Sequence, residues 1–122
     1  MPDRLTEVVA LTVAQFMDNA YERVQHERLS LKLGFGEAWV RDVLALRPEK
    51  LSGAESLVQR LALAMTERKG QDAGPALEAV TVAIGCQQAV AVLLLVGRYV
   101  MHALIVNTLN LAPPVPSPLT GK

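Results

Sequence analysis

A chain of 122 residues that is 51% apolar but only 4% aromatic can form one domain, or one small domain with an appendage. Its 12 basic and 12 acidic residues give a formal net charge of zero, which argues against a dedicated nucleic-acid binder, a class that is more often basic. The single cysteine, Cys86, excludes an internal disulfide framework and fits a reducing, cytoplasmic compartment. Residues 1–7 are charged and have no apolar stretch like that of a signal peptide.

Alanine, leucine and valine dominate the chain, and no run of alternating β-branched residues occurs, so we expect an all-α fold. The first predicted helix begins at Pro2 and Asp3, because a proline and an acid both favour a helix start. We place its end near residues 21–23. No glycine or proline occurs there, so the sequence predicts that this helix continues into the second without a sharp turn. Its apolar residues recur at helical spacing: Leu5, Val8, Val9, Leu11, Val13, Phe16, Met17 and Ala20.

Residues 28–44 contain two helical runs that are separated by a break with two glycines. Gly34 suits the left-handed end of the first run because it has no Cβ. Gly36 is a suitable N-cap for the second run, and Glu37 lies in the first turn, where a carboxylate favours the positive end of the helix. Two short helices joined by a tight turn of this kind predict a helix-turn-helix, which places its second helix in a DNA groove.

Further features follow in the order of a known pattern. They are the aliphatic Val24, the polar Gln25 and His26, the small pair Ser30 and Gly34, then Phe35, Gly36 and Val40, a loop over 45–52, and a helix with the spacing Leu57, Leu61, Ala64 and Met65. With these features, residues 24–65 resemble the helix-turn-helix domain of the phage-repressor-like (lambda-repressor-like) DNA-binding family. The resemblance covers about a third of the chain closely and about half of it loosely.

The resemblance implies that residues 36–44 form a recognition helix whose core-facing residues are Val40, Val43 and Leu44. It implies that the outward side chains read base edges, with Arg41 suited to guanine because a guanidinium can make two bonds there. These base-reading candidates are Glu37, Ala38, Arg41 and Asp42. The candidates for phosphate contacts are Gln25, His26, Arg28, Lys32, Arg47 and Lys50.

A fourth helix is predicted over residues 53–68, where Ser52 and Glu55 have the spacing of a capping box. Residues 69–74 are typical of a loop, so we expect a helix-turn-helix domain over residues 1–70. Residues 112–122 contain four prolines, and we interpret them as a disordered or polyproline-like tail.

Between the predicted domain and the tail, residues 75–111 are predicted to form one or two long apolar helices, divided at Gly85 or Gly97 if there are two. A helix that is apolar all round is buried in protein or in lipid. The uncharged run over 79–97 approaches the about 20 residues that span a bilayer, but Arg98 and His102 within the apolar block oppose that interpretation. We expect a homo-oligomer through residues 75–111, with a membrane span as the alternative. The residues expected at the centre of the association are Val92, Leu93, Leu94, Leu95 and Val96.

Catalytic and metal-binding chemistry is not expected from the sequence. His26 and His102 are far apart along the chain, and we recognise no metal-ligand spacing beside either. Cys86 lies in an apolar segment and is predicted to be a small buried hydrophobe. The sequence therefore predicts no cofactor, no metal and no enzymatic activity. Its leading interpretation is an oligomeric DNA-binding transcription regulator of phage or mobile-element repressor type that binds double-stranded DNA. The alternative is a helical interaction or membrane-anchored protein without DNA binding.

Overall fold

The computed structural model describes residues 1–120, and within that range the chain is all-helical, as predicted. Its elements are α1 (Asp3–Phe16), α2 (Ala20–Lys32), α3 (Glu37–Leu44), a 3-10 turn at Pro48–Lys50, α4 (Gly53–Glu67), α5 (Gly74–Ile84) and α6 (Cys86–Thr108).

The central helix is α1, against which α2, α3, α4 and α6 all pack. Val8, Val9, Leu11 and Val13 have no exposed surface although they point in different directions from the helix, so α1 contacts neighbours on several sides. Removing an apolar side chain of this kind from water contributes roughly 1.5–3 kcal/mol, which makes α1 the main hydrophobic element of the fold.

A sharp turn separates α1 from α2, so the predicted continuation of one helix into the other is wrong. Asp18 adopts a positive φ of 55°, and the buried Asn19 side chain accepts a hydrogen bond from the Glu22 backbone N–H at 3.1 Å. Asp and Asn tolerate positive φ, and Asn caps helices with its short polar side chain. The chain therefore turns without the glycine or proline on which the prediction depended. Val24 is fully buried but lies inside α2 rather than at its start.

The connection from α2 to α3 has the predicted geometry at both glycines. Gly34 has a φ of 86° just after α2, and the Phe35 N–H donates back to the Ser30 carbonyl at 3.1 Å. Gly36, with a φ of 89°, is the N-cap of α3. Val40 and Val43 are fully buried, as predicted, so the apolar side of α3 faces the core.

The start of α4 differs from the prediction, because the Ser52 side chain makes no capping hydrogen bond and the expected capping box does not form. Glu55 instead accepts hydrogen bonds from Arg4 Nε at 2.9 Å and from Trp39 Nε1 at 2.8 Å. Burial raises the pKa of the Glu55 carboxyl, but the hydrogen bonds from Arg4 and Trp39 and the Arg4 charge outweigh burial, so its pKa is lowered overall. This carboxylate therefore links α1, α3 and α4.

Gly85, with a φ of 89°, divides the apolar segment into α5 and α6. α6 packs on α1, α4 and α5, so the segment shares the core of the first four helices. The buried residues of α6 alternate in spacing between three and four, and we call them the inner stripe: Ala89, Val92, Val96, Tyr99 and Ala103.

The tail after α6 packs on the domain through Ser117 and Leu119, so of the two interpretations of residues 112–122 the disordered one is wrong for this part of the tail. Ser117 is 2% exposed and donates a hydrogen bond to Glu27 Oε1 at 2.7 Å. The half-buried Leu119 packs against the core, and its carbonyl accepts a hydrogen bond from Arg41 at 3.1 Å. A buried carboxylate needs hydrogen-bond donors, and Ser117 supplies one to Glu27. The last two residues of the predicted tail, 121 and 122, lie outside the described residues.

Candidate functional site between α1, α2 and α6

Four titratable side chains from three helices meet where α1, α2 and α6 pack together. Glu7 comes from α1, Glu22 and His26 lie one turn apart on α2, and His102 comes from α6. Glu7 is 3% exposed, within the run of buried residues that α1 presents to the core. A buried carboxylate is retained only when it is paired and hydrogen-bonded, and α2 and α6 supply its surroundings here.

The carboxylate of Glu22 bridges the two imidazoles. Its Oε1 lies 3.1 Å from His102 Nδ1, and its Oε2 lies 3.2 Å from His26 Nε2. The other nitrogen of His26, Nδ1, lies 2.9 Å from Glu7 Oε1, which also accepts a 3.3 Å hydrogen bond from the Ser30 hydroxyl. The result is a continuous chain of alternating carboxylates and imidazoles, which we call the His–Glu chain: Glu7, His26, Glu22 and His102.

His26 is the central group of the His–Glu chain, because each of its ring nitrogens faces a carboxylate. Burial lowers the pKa of His26, but the hydrogen bond and charge of Glu7, together with those of Glu22, outweigh burial, so its pKa is raised above 6.5. An imidazolium donates from both nitrogens, and this geometry gives both donors an acceptor.

The ring of Tyr99 separates the two imidazoles on the α6 side. It meets His26 edge to face at a centroid distance of 5.4 Å and His102 at 5.7 Å. Burial raises the pKa of the Tyr99 hydroxyl, and the Glu7 charge adds to this effect. The tyrosine is therefore a neutral packing partner that fixes the orientation of both imidazoles.

His102 is the part of the His–Glu chain that is nearest to solvent. Its side chain is 28% exposed, compared with 14% for His26 and 16% for Glu22. Among the described residues its Nδ1 pairs with Glu22, while its Nε2 has no hydrogen-bond partner. If Nδ1 carries the proton and donates to Glu22, the lone pair of Nε2 points away from the carboxylate.

The base-reading candidates lie together on α3, but Arg41 is already engaged. Its guanidinium contacts Glu37 Oε1 at 2.7 Å and donates to the Leu119 carbonyl. Glu37 and Ala38 are exposed, and Asp42 is half-buried. Arg41 also borders a pocket of about 320 Å³ between α2, α3 and the tail, in which Arg23 and Glu27 take part. A base contact by Arg41 would require its present partners to be replaced.

The phosphate candidates divide into two groups. Gln25, Arg28 and Lys32 are exposed on α2, and Arg47 and Lys50 are exposed around the 3-10 turn. His26 does not belong with them, because it turns inward to Glu7 and Glu22. The α2 positions separate in this way because residues 25, 28 and 32 lie on one side of a helix and residue 26 on another.

Two further expectations need correction. Val92 and Val96 were expected in an association surface, but both are buried in the chain's own core, at 0% and 2% exposure. Leu93 and Leu95 are half-buried, whereas Leu94 is 70% exposed. Cys86 is exposed, in contrast to the small buried hydrophobe that was predicted, because it occupies the first turn of α6 beside the Gly85 break.

Sequence analysis missed Glu7, Glu22, Tyr99 and His102 as members of one site. Two local signals were available: Glu22 and His26 have i, i+4 spacing, and Tyr99 and His102 have i, i+3 spacing, so each pair lies on one side of a helix. A third signal was Glu7, an acid placed next to the apolar run that begins at Val8 of α1. What the sequence lacked was the packing of both α2 and α6 on α1, which brings together Glu22 and His102 from positions 80 residues apart.

Comparison of the chain with protein-family models, with curated proteins and with solved structures finds no match in any of the three. Within residues 1–120, no group of three or more His, Cys, Asp and Glu side chains is arranged to hold a metal ion. In the same range α6 alone is long and apolar enough to cross a membrane by length and composition, with a mean hydropathy of 2.1 over an 18-residue stretch.

Proposed function

We propose that the His–Glu chain is an acid–base site in which His102 exchanges a proton with a small molecule at the surface between α2 and α6. The observation that carries the proposal is the bridge formed by Glu22, which holds both imidazoles through its two carboxylate oxygens. The sequence-based expectation of no enzymatic activity depended on finding no metal-ligand spacing, no reactive thiol and no pair of titratable residues that stood out from ordinary surface charge, and the two histidines were far apart along the chain. In the folded chain both imidazoles contact the Glu22 carboxylate, which supports the proposal of acid–base chemistry at this site.

In this proposal His102 Nε2 accepts a proton from the substrate, and the resulting imidazolium is stabilised by Glu22 at Nδ1. A carboxylate that orients an imidazole also favours its charged form, which is how a histidine becomes an effective general base. His26 and Glu7 are positioning residues, because His26 holds Glu22 at 3.2 Å and is itself held by Glu7. The substrate class is a small molecule with an activated proton, since the proposed base is an imidazole whose side chain is 28% exposed.

A nitrobenzisoxazole tests the proposal, because its ring opens with a change in absorbance when a general base removes its carbon-bound proton. We expect the protein to open the ring about 100-fold faster than its His102→Gln variant, which is the lower end of the range typical of a positioned base.

The matched control is Arg60→Gln, which changes an exposed residue of α4 away from the His–Glu chain and should leave the rate unchanged. His26→Gln tests the positioning role and should lower the rate less than His102→Gln. Equal rates for the protein and its His102→Gln variant, with both folded by circular dichroism, would exclude acid–base chemistry at this residue.

DNA binding through α2 and α3, as in repressor-type regulators, is the second candidate function. It is supported by the short glycine-bearing connection between the two helices and by the exposed Gln25, Arg28 and Lys32 on α2. The neutral net charge and the engagement of Arg41 with Glu37 and the tail make this candidate weaker than acid–base chemistry. A helical protein that associates without binding DNA is the corresponding alternative.

Fluorescence anisotropy with a panel of labelled duplexes, at two salt concentrations, tests the DNA proposal. Lys32→Ala should weaken binding to all duplexes about equally, whereas Arg41→Ala should remove sequence preference, because phosphate contacts position and base contacts specify. Lys69→Ala, beyond the end of α4, is the matched control. The absence of binding to any duplex at low salt would exclude this function, since non-specific binding is strongest there.

A further inference from the structure

A second apolar stripe runs along the solvent-facing side of α6, and we call it the outer stripe: Val90, Leu94, Gly97, Met101, Leu104 and Thr108. Its spacing alternates between four and three residues along the whole helix. Leu94 is 70% exposed, Leu104 57% and Met101 52%, so no part of the described chain covers these side chains. A repeat of 3.5 residues is the period that allows one helix to pack lengthwise against another.

Charged side chains are absent from the outer stripe. The exposed Arg98 lies beside the outer stripe, and its guanidinium carbon is 5.9 Å from the centroid of the Tyr99 ring, away from the outer stripe. At 1.5 Å per residue, the 18 positions from Val90 to Thr108 extend over about 27 Å. This length and the continuous apolar surface are suited to one helix of similar length.

We propose that the outer stripe of α6 packs against the outer stripe of a second copy of this chain, with the two helices antiparallel. The spacing of the stripe is the same when read in either direction, so an antiparallel pair aligns Val90 with Thr108, Leu94 with Leu104, and Gly97 with Met101 of the other copy. The proposal is independent of both candidate functions.

Gly97 decides the orientation. A Cβ added to Gly97 would contact nothing within 4 Å, so the described chain gives no reason for a glycine in the middle of α6. In an antiparallel pair, each Gly97 leaves room for the long and flexible Met101 of the other copy, and this pairing occurs twice. In a parallel pair, Gly97 would face Gly97 and leave a gap, which close-packed interfaces avoid.

The inner stripe argues for a protein partner over lipid. Tyr99 lies beside the His–Glu chain, and His102 is bound to the Glu22 carboxylate at 3.1 Å. A helix with one side in a polar cluster cannot be surrounded by hydrocarbon, because transfer of the ionisable groups into a bilayer is costly. The membrane span considered in the sequence analysis is therefore an outcome for the test to exclude.

Sedimentation velocity of the full chain without detergent tests the association. We expect a dimer at micromolar concentrations, and Leu94→Arg should weaken its association by at least about a hundredfold, because it places an unpaired charge in a dry interface. The matched control is Val82→Arg, which adds the same charge at a residue of α5 that is 82% exposed and outside the stripe, and it should remain dimeric. A monomeric full chain, or a Leu94→Arg variant as dimeric as the control, would overturn the proposal, as would co-flotation with phosphatidylcholine vesicles.

Disulfide formation tests the orientation, in a Cys86→Ala background that removes the single native thiol. An antiparallel pair places position 90 of one copy beside position 108 of the other and keeps the two copies of position 90 about 27 Å apart. Val90→Cys and Thr108→Cys chains should therefore form a disulfide when mixed and should not do so separately. Rapid self-linking of Val90→Cys alone would overturn the antiparallel arrangement.

Discussion

The two sides of α6 are nearly alike in sequence and differ completely in surroundings. The inner stripe, with Val92 and Val96 at its centre, is buried against the chain's own helices, whereas Leu94 and Leu104 of the outer stripe face solvent. Both stripes alternate between spacings of three and four residues, and both consist mainly of small and medium-sized aliphatic residues. The difference shows that periodicity identifies a surface capable of burial, while tertiary contacts determine which surface is buried inside the chain.

Introducing a charge should produce the largest difference in unfolding free energy between the two sides of α6. Val92→Asp should destabilise the fold by about 3–5 kcal/mol, because it leaves an unpaired carboxylate in the core. Val90→Asp, two positions earlier on the outer stripe, should change the stability of the dilute monomer by about 0.5 kcal/mol or less. Urea unfolding at low protein concentration measures both, and similar losses for the two variants would contradict the assignment of the stripes.

A change in side-chain volume should produce a smaller difference in unfolding free energy between the two sides of α6. Ala103 has no exposed surface, so Ala103→Leu should cost about 1–3 kcal/mol through overpacking against α1. Leu104→Ala, at the neighbouring position on the outer stripe, should cost about 0.5 kcal/mol or less in the monomer. Thermal unfolding of both variants at equal low concentration gives the comparison, and a stable Ala103→Leu variant would indicate space that the structure does not contain.

The His–Glu chain, which contacts Tyr99 of the inner stripe through His26, should make the stability of the fold depend on pH. The pKa of His26 is raised in the folded state, so its ion pairs contribute fully below the unfolded-state pKa of about 6.5 and are lost as pH rises through the folded-state pKa. The protein should therefore lose stability as pH rises from the unfolded-state pKa through the higher folded-state pKa of His26, and His26→Gln should lose much less over that interval. Urea midpoints across that interval measure the effect, and parallel pH profiles for the two proteins would contradict it.

The smallest effect is expected from Arg98, which lies between the two stripes. Its cation–π contact with Tyr99 is exposed, so Arg98→Ala should cost about 0.5 kcal/mol or less. Arg98→Lys keeps the charge, so its loss of stability should lie between zero and the loss caused by Arg98→Ala. A loss larger than 2 kcal/mol, measured by urea unfolding, would mean that Arg98 has a structural role beyond this contact.

Local sequence signals predicted the elements better than the contacts between them. The all-α fold, the buried side of α3 and the break at Gly34 follow from periodicity and from the conformational freedom of glycine, which are properties of short segments. The sequence left open whether the apolar segment breaks at Gly85, at Gly97 or not at all, and the break lies at Gly85. The turn at Asp18 and Asn19 was missed because polar residues, rather than glycine or proline, form it.

The candidate site could be predicted only in pieces. Glu22 and His26 form a recognisable pair on one side of α2, but His102 and Glu7 join them through the packing of α1, α2 and α6. The likeness of the inner and outer stripes also explains why Val92 and Val96 were expected in an association surface. No local pattern distinguishes two such stripes, because burial depends on residues far away in the chain.

The contact between Ser117 and Glu27 has a consequence for synthesis of the chain on the ribosome. Glu27 emerges early, but the hydroxyl that satisfies its buried carboxylate emerges 90 positions later. Until then, burial of the Glu27 carboxylate would cost free energy because its hydrogen-bond donor is absent. Glu22 likewise lacks His102 until α6 has been synthesised. The helices can form as they emerge, whereas their final packing must follow the exit of α6 and the tail, so a nascent chain halted after α4 is expected to be digested readily by protease.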